Sequence, residues 1–284
     1  MLAQDSPNDQ RVTNPSQNPT LKSLPMKNLL IMLLSILLVS SVHAGVKTET
    51  VIYKEGEVEL EGFVAYPDGD AIKRPAVIII HDWTGLGDYP KARAEQLAEL
   101  GYVAFAADIY GKGVRANNPG EAGKLAGKYK GDLPLYRARA QAALNEILKR
   151  EDVDADRVAA IGYCFGGTGV LEMARAGMPL VGVVSFHGGL STTMPAAQGA
   201  IKAKVLVQHG ADDTYVSTEE VAAFRSEMNA AGADWQFTEY SGAVHSFTNP
   251  ASGNDNSKGA AYNQSADKRS WEAMKAFFAE IFAK

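Results

Sequence analysis

Four short runs in this chain of 284 residues are apolar almost throughout: Ala76 to Ile80, Val158 to Gly162, Val181 to Phe186 and Val205 to Gln208. A strand with one wet face alternates apolar and polar residues, so a run without a polar face must be covered on both sides. That is the signature of central strands in a parallel sheet packed between helical layers. The intervening segments supply the helices. Residues 90–100 place Pro90 in a first turn and Ala94, Leu97, Ala98 and Leu100 on one face, and Gly101 stops the helix before a strand at Tyr102 to Ala107. Helical patterns recur at 134–149, 166–176 and 218–231. Ahead of this βαβ alternation, Thr48 to Tyr53 and Val58 to Tyr66 read as half-buried strands joined by a turn at Glu55-Gly56, and Asp234 to Tyr240 reads as a last strand. The tail from Asp267 carries Trp271, Met274, Phe277, Phe278 and Ile281 at helical spacing and is expected to pack on one face of the sheet. The Gly- and Asn-rich stretch 249–265 reads as a long loop, near a functional site or simply mobile. The chain is therefore of the α/β class, a mostly parallel sheet with helices on both faces.

The first 44 residues stand apart from this pattern. Residues 1–25 are rich in Asn, Pro, Gln and Ser, whereas Met26-Lys27-Asn28 leads into the apolar run Leu29 to Val39 and then to small residues at Val42 and Ala44. This layout predicts a secretion signal, with Met26 as a candidate start and cleavage after Ala44. The run is short for a transmembrane helix, which takes roughly 18 or more apolar residues. A signal anchor is the alternative, and no cysteine directly follows the run to take a lipid. Residues 45–284 are expected to form one domain of a periplasmic or secreted protein without stable membrane association after cleavage. The charge balance of 28 basic against 33 acidic residues argues against a nucleic-acid partner. A single cysteine, Cys164, excludes both an internal disulfide and a multi-cysteine zinc site.

That cysteine lies in Ile161-Gly162-Tyr163-Cys164-Phe165-Gly166-Gly167, between an apolar run and a helical pattern. The form G-x-C-x-G is a cysteine version of the nucleophile elbow. Its glycines let strand and helix approach around a cramped turn, and a helix N-terminus favours a thiolate and supplies a backbone N–H to an oxyanion. A small buried hydrophobe is the plain alternative for a free cysteine. Asp212 and Asp213 follow the strand at Val205 to Gln208, where a turn or helix cap would also explain either residue alone. His245 follows the last strand, in Gly242-Ala243-Val244-His245-Ser246-Phe247. In isolation it could be an ordinary surface or core histidine. The order cysteine, aspartate, histidine along the chain is the nucleophile, acid, base order of α/β-hydrolases, which neither aspartate nor His245 shows singly.

These residues resemble the dienelactone hydrolase family. The resemblance spans Val77 to Gly87, Gly101-Tyr102, Asp108-Ile109-Tyr110-Gly111, the elbow, Gly210 to Val216 and His245-Ser246-Phe247. It implies an α/β-hydrolase fold and a triad of Cys164, Asp213 and His245, with Asp213 preferred over Asp212 because it precedes Tyr215 and Val216 by the family's spacing. It also implies oxyanion donors at the backbone N–H groups of Trp83 and Phe165. Asp82 stands where the family has a glutamate that contacts the resting thiol. Asn249 stands where family members acting on dienelactone carry an arginine that clamps the substrate carboxylate, and Arg115, Lys124 and Lys128 lie in the region of a second clamp. The missing arginine shifts the expected substrate toward neutral esters. Within the family the triad spacing is similar to that of a metagenome-derived, dienelactone-hydrolase-like phosphotriesterase, so neutral phosphotriesters join carboxylic esters as candidates. An anionic lactone is the alternative substrate.

Trp83, Tyr110, Tyr163, Phe165, Phe186 and His187 follow or end predicted strands, where α/β sheets bind ligands, and with Asn249 are candidate pocket residues. Core packing is the other reading of Phe186. No cofactor or metal is expected: His81, His187 and His209 each stand alone beside a strand end without metal-ligand spacing. Gly85-Leu86-Gly87 hints at a dinucleotide fingerprint, but Pro90 occupies the third glycine position. A non-catalytic binding protein on the same scaffold is the remaining alternative from another class.

Overall fold

Gly56, at φ 55°, closes the hairpin that opens the chain in the computed structural model, which describes residues 45–69 and 72–283. The Met26 start, the secretion signal and the cleavage point at Ala44 lie outside the described residues. Strands β1 (Val46–Glu55) and β2 (Val58–Pro67) pair antiparallel from Val46 opposite Pro67 to Glu55 opposite Val58. The chain continues through β3 (Arg74–Ile80), α1 (Asp88–Glu99), β4 (Val103–Ala107), α2 (Pro119–Lys130), α3 (Leu133–Ile147), β5 (Val153–Tyr163), α4 (Phe165–Arg175), β6 (Gly182–Phe186), β7 (Lys204–Gly210), α5 (Thr218–Ala231), β8 (Trp235–Tyr240) and α6 (Gln264–Ile281). The described residues form one eight-stranded sheet in the order β1-β2-β4-β3-β5-β6-β7-β8. β2 meets β4 antiparallel, and every later pairing is parallel.

The apolar runs behave as their composition requires. In β3, Ala76, Ile78 and Ile80 join the core beneath α2, α3, α4 and α5, while Val77 and Ile79 join the core beneath α1 and α6. All five are fully buried. The chain leaves β3 toward β4 on one side and returns to β5 on the other, so the order reverses between β3 and β5. A crevice opens at the carboxyl ends of such strands.

Two segments differ from the sequence pattern. Helix α2 is not visible in the hydrophobic period, because Gly120, Gly123 and Gly127 thin its apolar stripe to Ala122, Ala126 and Tyr129. Its start is set by Asn118, whose Oδ1 accepts the Glu121 N–H at 3.0 Å. The stretch 249–265 contains short 3₁₀ turns at Pro250–Ser252 and Asn256–Lys258, and α6 begins at Gln264, capped by Asn263.

Candidate active site

The β5–α4 junction is tight enough to dictate its residues. A Cβ on Gly162 would lie 2.0 Å from the Gly166 carbonyl oxygen, and one on Gly166 would lie 2.1 Å from that of Ile80. Only glycine lets the head of α4 press against the ends of β5 and β3. Cys164, between them, is forced to φ 55°, a conformation a non-glycine residue holds only where its surroundings over-determine it. Its N–H is shared between the Phe186 carbonyl at 3.0 Å and His187 Nδ1 at 3.1 Å, and its carbonyl accepts the Gly167 N–H. The side chain is partly exposed at the N-cap of α4. Phe165 is the first residue of that helix, so its N–H has no partner within the helix.

His245 is delivered by the loop after β8. Its backbone is pinned on both sides, by N–H to Gly259 carbonyl at 3.2 Å and by carbonyl to Ala261 N–H at 3.0 Å. Nδ1 lies 2.8 Å from Asp213 Oδ2, and Asp213 Oδ1 accepts the Tyr215 N–H at 2.9 Å. The Asp213 side chain is fully buried, whereas Asp212 is exposed, so burial separates the two aspartates that spacing leaves equivalent. Desolvation works against a charged His245 imidazole. The Cys164 sulfur, acting as a negative charge and hydrogen-bond partner, and the Asp213 carboxylate outweigh it and push the pKa up to about 10. The exposed Tyr215 ring stands edge-on to the imidazole with centroids 5.2 Å apart.

The other predicted residues divide between rim and core. Trp83 is exposed in the loop after β3, and its carbonyl accepts the Tyr110 hydroxyl at 3.0 Å. Asp82 Oδ1 accepts the Thr84 N–H and hydroxyl, so this carboxylate oxygen braces its own loop. Tyr110 and Phe165 are almost fully buried and pack on each other, 5.2 Å between centroids. Tyr163 and Phe186 stack at 4.8 Å and are buried in the core beneath α1 and α6, which favours core packing, the other reading of Phe186, and places Tyr163 there as well. Asn249 Oδ1 accepts the Ala251 N–H and caps the 3₁₀ turn that follows it. Arg115 donates from Nε to the Leu86 carbonyl and from Nη1 to the Val114 carbonyl, while Lys124 and Lys128 are exposed on α2.

Three further histidines lie among the described residues, and His209 Nδ1 is buried without a hydrogen-bond partner. His81 Nδ1 meets the Asp82 carbonyl at 2.6 Å and its Nε2 accepts the Ile109 N–H at 3.2 Å, with burial holding its pKa down. Both ring nitrogens of His187 are likewise engaged. His209 is buried, its pKa lowered mainly by desolvation. Among the described residues no group of three or more His, Cys, Asp and Glu side chains converges as a metal site would require. Sequence reasoning passed over Tyr89, Arg93, Thr248 and Asp267, which form a buried polar network behind His187. They come from three segments with no shared spacing, so no sequence pattern marks them.

A parallel sheet with a strained residue at a strand-to-helix elbow, and an Asp–His pair on the loops after β7 and β8, defines the class of the α/β hydrolases. The dienelactone hydrolase family model matches residues 60–282, and the chain belongs to that family, as a hydrolase. Two solved structures are each 39% identical over 84% of this chain. One is m3DLH, covered in full with a TM-score of 0.80, and the other is a dienelactone hydrolase-like promiscuous phosphotriesterase from metagenomic libraries, 99% covered with a TM-score of 0.79. A relative from Aquifex aeolicus, provisionally named carboxymethylenebutenolidase, is 29% identical over 71% of this chain and 87% of its own length.

Proposed function

We propose that this chain is a metal-independent ester hydrolase in which Cys164 is the nucleophile, His245 the acid–base and Asp213 its orienting partner. The observation that carries this reading is the 2.8 Å Asp213–His245 contact, beside a cysteine sulfur that raises the pKa of that imidazole. The Cys164 sulfur attacks the ester carbon or phosphorus to form an S–C or S–P bond. The leaving oxygen departs with the proton held on His245 Nε2, and the N–H groups of Phe165 and Trp83 receive the developing oxyanion. Neutral His245 then takes a proton from water as the water oxygen attacks the same centre. The bond to sulfur breaks, and the thiolate–imidazolium pair returns.

Neutral carboxylic esters and phosphotriesters are the proposed substrates. Asn249 carries no positive charge, and Arg115 already commits Nε and Nη1 to backbone carbonyls. A buried substrate carboxylate would therefore lose the bidentate cation it needs. The similar phosphotriesterase supports the phosphorus ester, and the Aquifex relative's name supports the lactone as the competing substrate.

The test is hydrolysis of a neutral aryl phosphotriester, a neutral aryl carboxylic ester and a dienelactone by the purified chain without added metal, each beside Cys164→Ala. Activity on the neutral esters, lost by about a thousandfold or more in the variant, is expected. A strong preference for dienelactone would refute the unclamped pocket, and activity surviving in Cys164→Ala would refute the cysteine mechanism. We also propose export with cleavage after Ala44, for which the expected observation is a mature N-terminus at Gly45.

A further inference from the structure

His187 is the residue after β6, only 1% exposed and held at φ 40°. Nδ1 must keep its lone pair to accept the Cys164 N–H at 3.1 Å. The ring proton therefore sits on Nε2 and is donated to Thr248 Oγ1 at 2.7 Å. Burial, reinforced by the positive charge of nearby His245, holds the imidazole neutral, as this arrangement demands. Thr248 is itself buried and lies three residues beyond His245 on the same loop. It is held from behind: Tyr89 donates its hydroxyl to Thr248 Oγ1 at 2.7 Å, and Arg93 Nη2 donates to the Thr248 carbonyl at 2.9 Å. Arg93 in turn donates Nε to the Tyr89 oxygen and pairs through Nη2 with Asp267 at 2.5 Å.

One ring thus ties the backbone of the elbow to the loop that carries the imidazole. The Asp213 contact fixes the ring of His245 but runs through a different loop, the one after β7. We propose that His187 is a positioning residue that sets the relative placement of Cys164 and His245, with Nδ1 locating the Cys164 backbone and Nε2 locating the His245 loop through Thr248. The inference rests on Cys164 and His245 being nucleophile and base. With both ring nitrogens taken up by the Cys164 N–H and Thr248 Oγ1, His187 acts through those two residues. Its effect belongs in kcat, because misplacing reacting groups by about an ångström costs on the order of a hundredfold.

The two ring nitrogens can be tested separately. Asparagine places an acceptor where Nδ1 stands and tolerates a positive φ, but it falls short of Thr248. Glutamine places a donor amide near the position of Nε2 and leaves the Cys164 N–H without its imidazole acceptor. Full-length His187→Asn, His187→Gln and His187→Ala are compared with the native chain and with Cys164→Ala on one neutral aryl ester, with melting temperatures measured for each. The expected result is a loss in kcat of about tenfold for Asn and for Gln and about a hundredfold for Ala, with KM within about threefold. In the same variants the His245 imidazole, followed by NMR, is expected to titrate at lower pH as its contact with Cys164 loosens. Any folded His187 variant with kcat within about twofold of native, while Cys164→Ala is inactive, overturns the positioning role alone. Failure of all three to fold overturns it equally, by making His187 a stability residue. Full activity in Cys164→Ala instead overturns the nucleophile assignment on which the inference rests.

Discussion

His245 is the residue whose charge state integrates the site. Burial works against its charge, yet the Cys164 sulfur and the Asp213 carboxylate raise its pKa to about 10. The Cys164 sulfur is the largest of the raising influences, so Cys164→Ala is expected to return the imidazole toward its ordinary value of about 6.5. An NMR titration of His245 in the two proteins measures this, and an unchanged pKa would remove Cys164 from the pair. The same shift makes folding depend on pH in one direction. A group that binds its proton more tightly when folded stabilises the fold fully below about pH 6.5, and that contribution disappears as the pH rises through about 10. Melting temperature relative to His245→Gln should therefore fall across that window, and a flat difference would contradict the pairing. In the proposed mechanism Asp213 acts on the same ring by orientation. Asp213→Asn retains the volume but offers Nδ1 an amide, and it is expected to lower kcat by about 10³–10⁴-fold, as when an orienting carboxylate is replaced in comparable triads. A loss below tenfold in steady-state kinetics would sink that role.

At the scale of elements, glycine has opposite meanings at two places. At the elbow, a methyl group on Gly166 would overlap the backbone oxygens of Ile80 and His81 at 2.1 and 2.7 Å, atoms that cannot rotate away. Gly166→Ala is expected to cost about 3 kcal/mol or to prevent folding, at the upper end of overpacking effects. In α2 nothing lies within 4 Å of a Cβ on Gly123 or Gly127, and both are exposed helix interior. Alanine there should stabilise by about 0.5–1 kcal/mol per site through reduced backbone freedom in the unfolded chain. Urea unfolding of the three variants tests both signs, and equal effects at the two places would contradict the packing account. The same contrast explains what was legible beforehand. β3, β5, β6 and β7 announce themselves because both faces are buried, and the elbow announces itself because steric exclusion leaves glycine no substitute. α2 does not, since its helicity comes from the Asn118 cap and from docking Ala122, Ala126 and Tyr129 rather than from local propensity. Tyr163 and Phe186 are ambiguous in the sequence for a related reason: adjacency to a strand end does not tell which face a side chain takes, and a shift of one residue changes the layer.

Across the whole molecule, the two helical layers meet the site from opposite sides. α4 brings the elbow from one core, while α1 and α6 lie over the other and contribute Arg93 and Asp267 to the brace behind Thr248. None of this long-range convergence was readable from spacing, since Arg93, Thr248 and Asp267 are brought together only by the packing of α1 and α6. Arg93 and Asp267 have side chains only 10% and 18% exposed, so each ion depends on the other for compensation. Removing one partner of such a pair leaves a desolvated charge, which costs more than the intact pair contributes. Asp267→Ala is therefore expected to lower unfolding free energy by about 3 kcal/mol, and Asp267→Asn, which can still accept from the guanidinium, by less than half of that. The loss should extend to function, because an unanchored Arg93 no longer holds the Thr248 carbonyl and the loop carrying His245 is freed at one end. Denaturant unfolding and kcat measured on the same two variants decide the matter. A destabilised Asp267→Ala with native kcat would confine the ion pair to stability, whereas losses that rise together from Asn to Ala would make the α1–α6 layer part of what aligns the site.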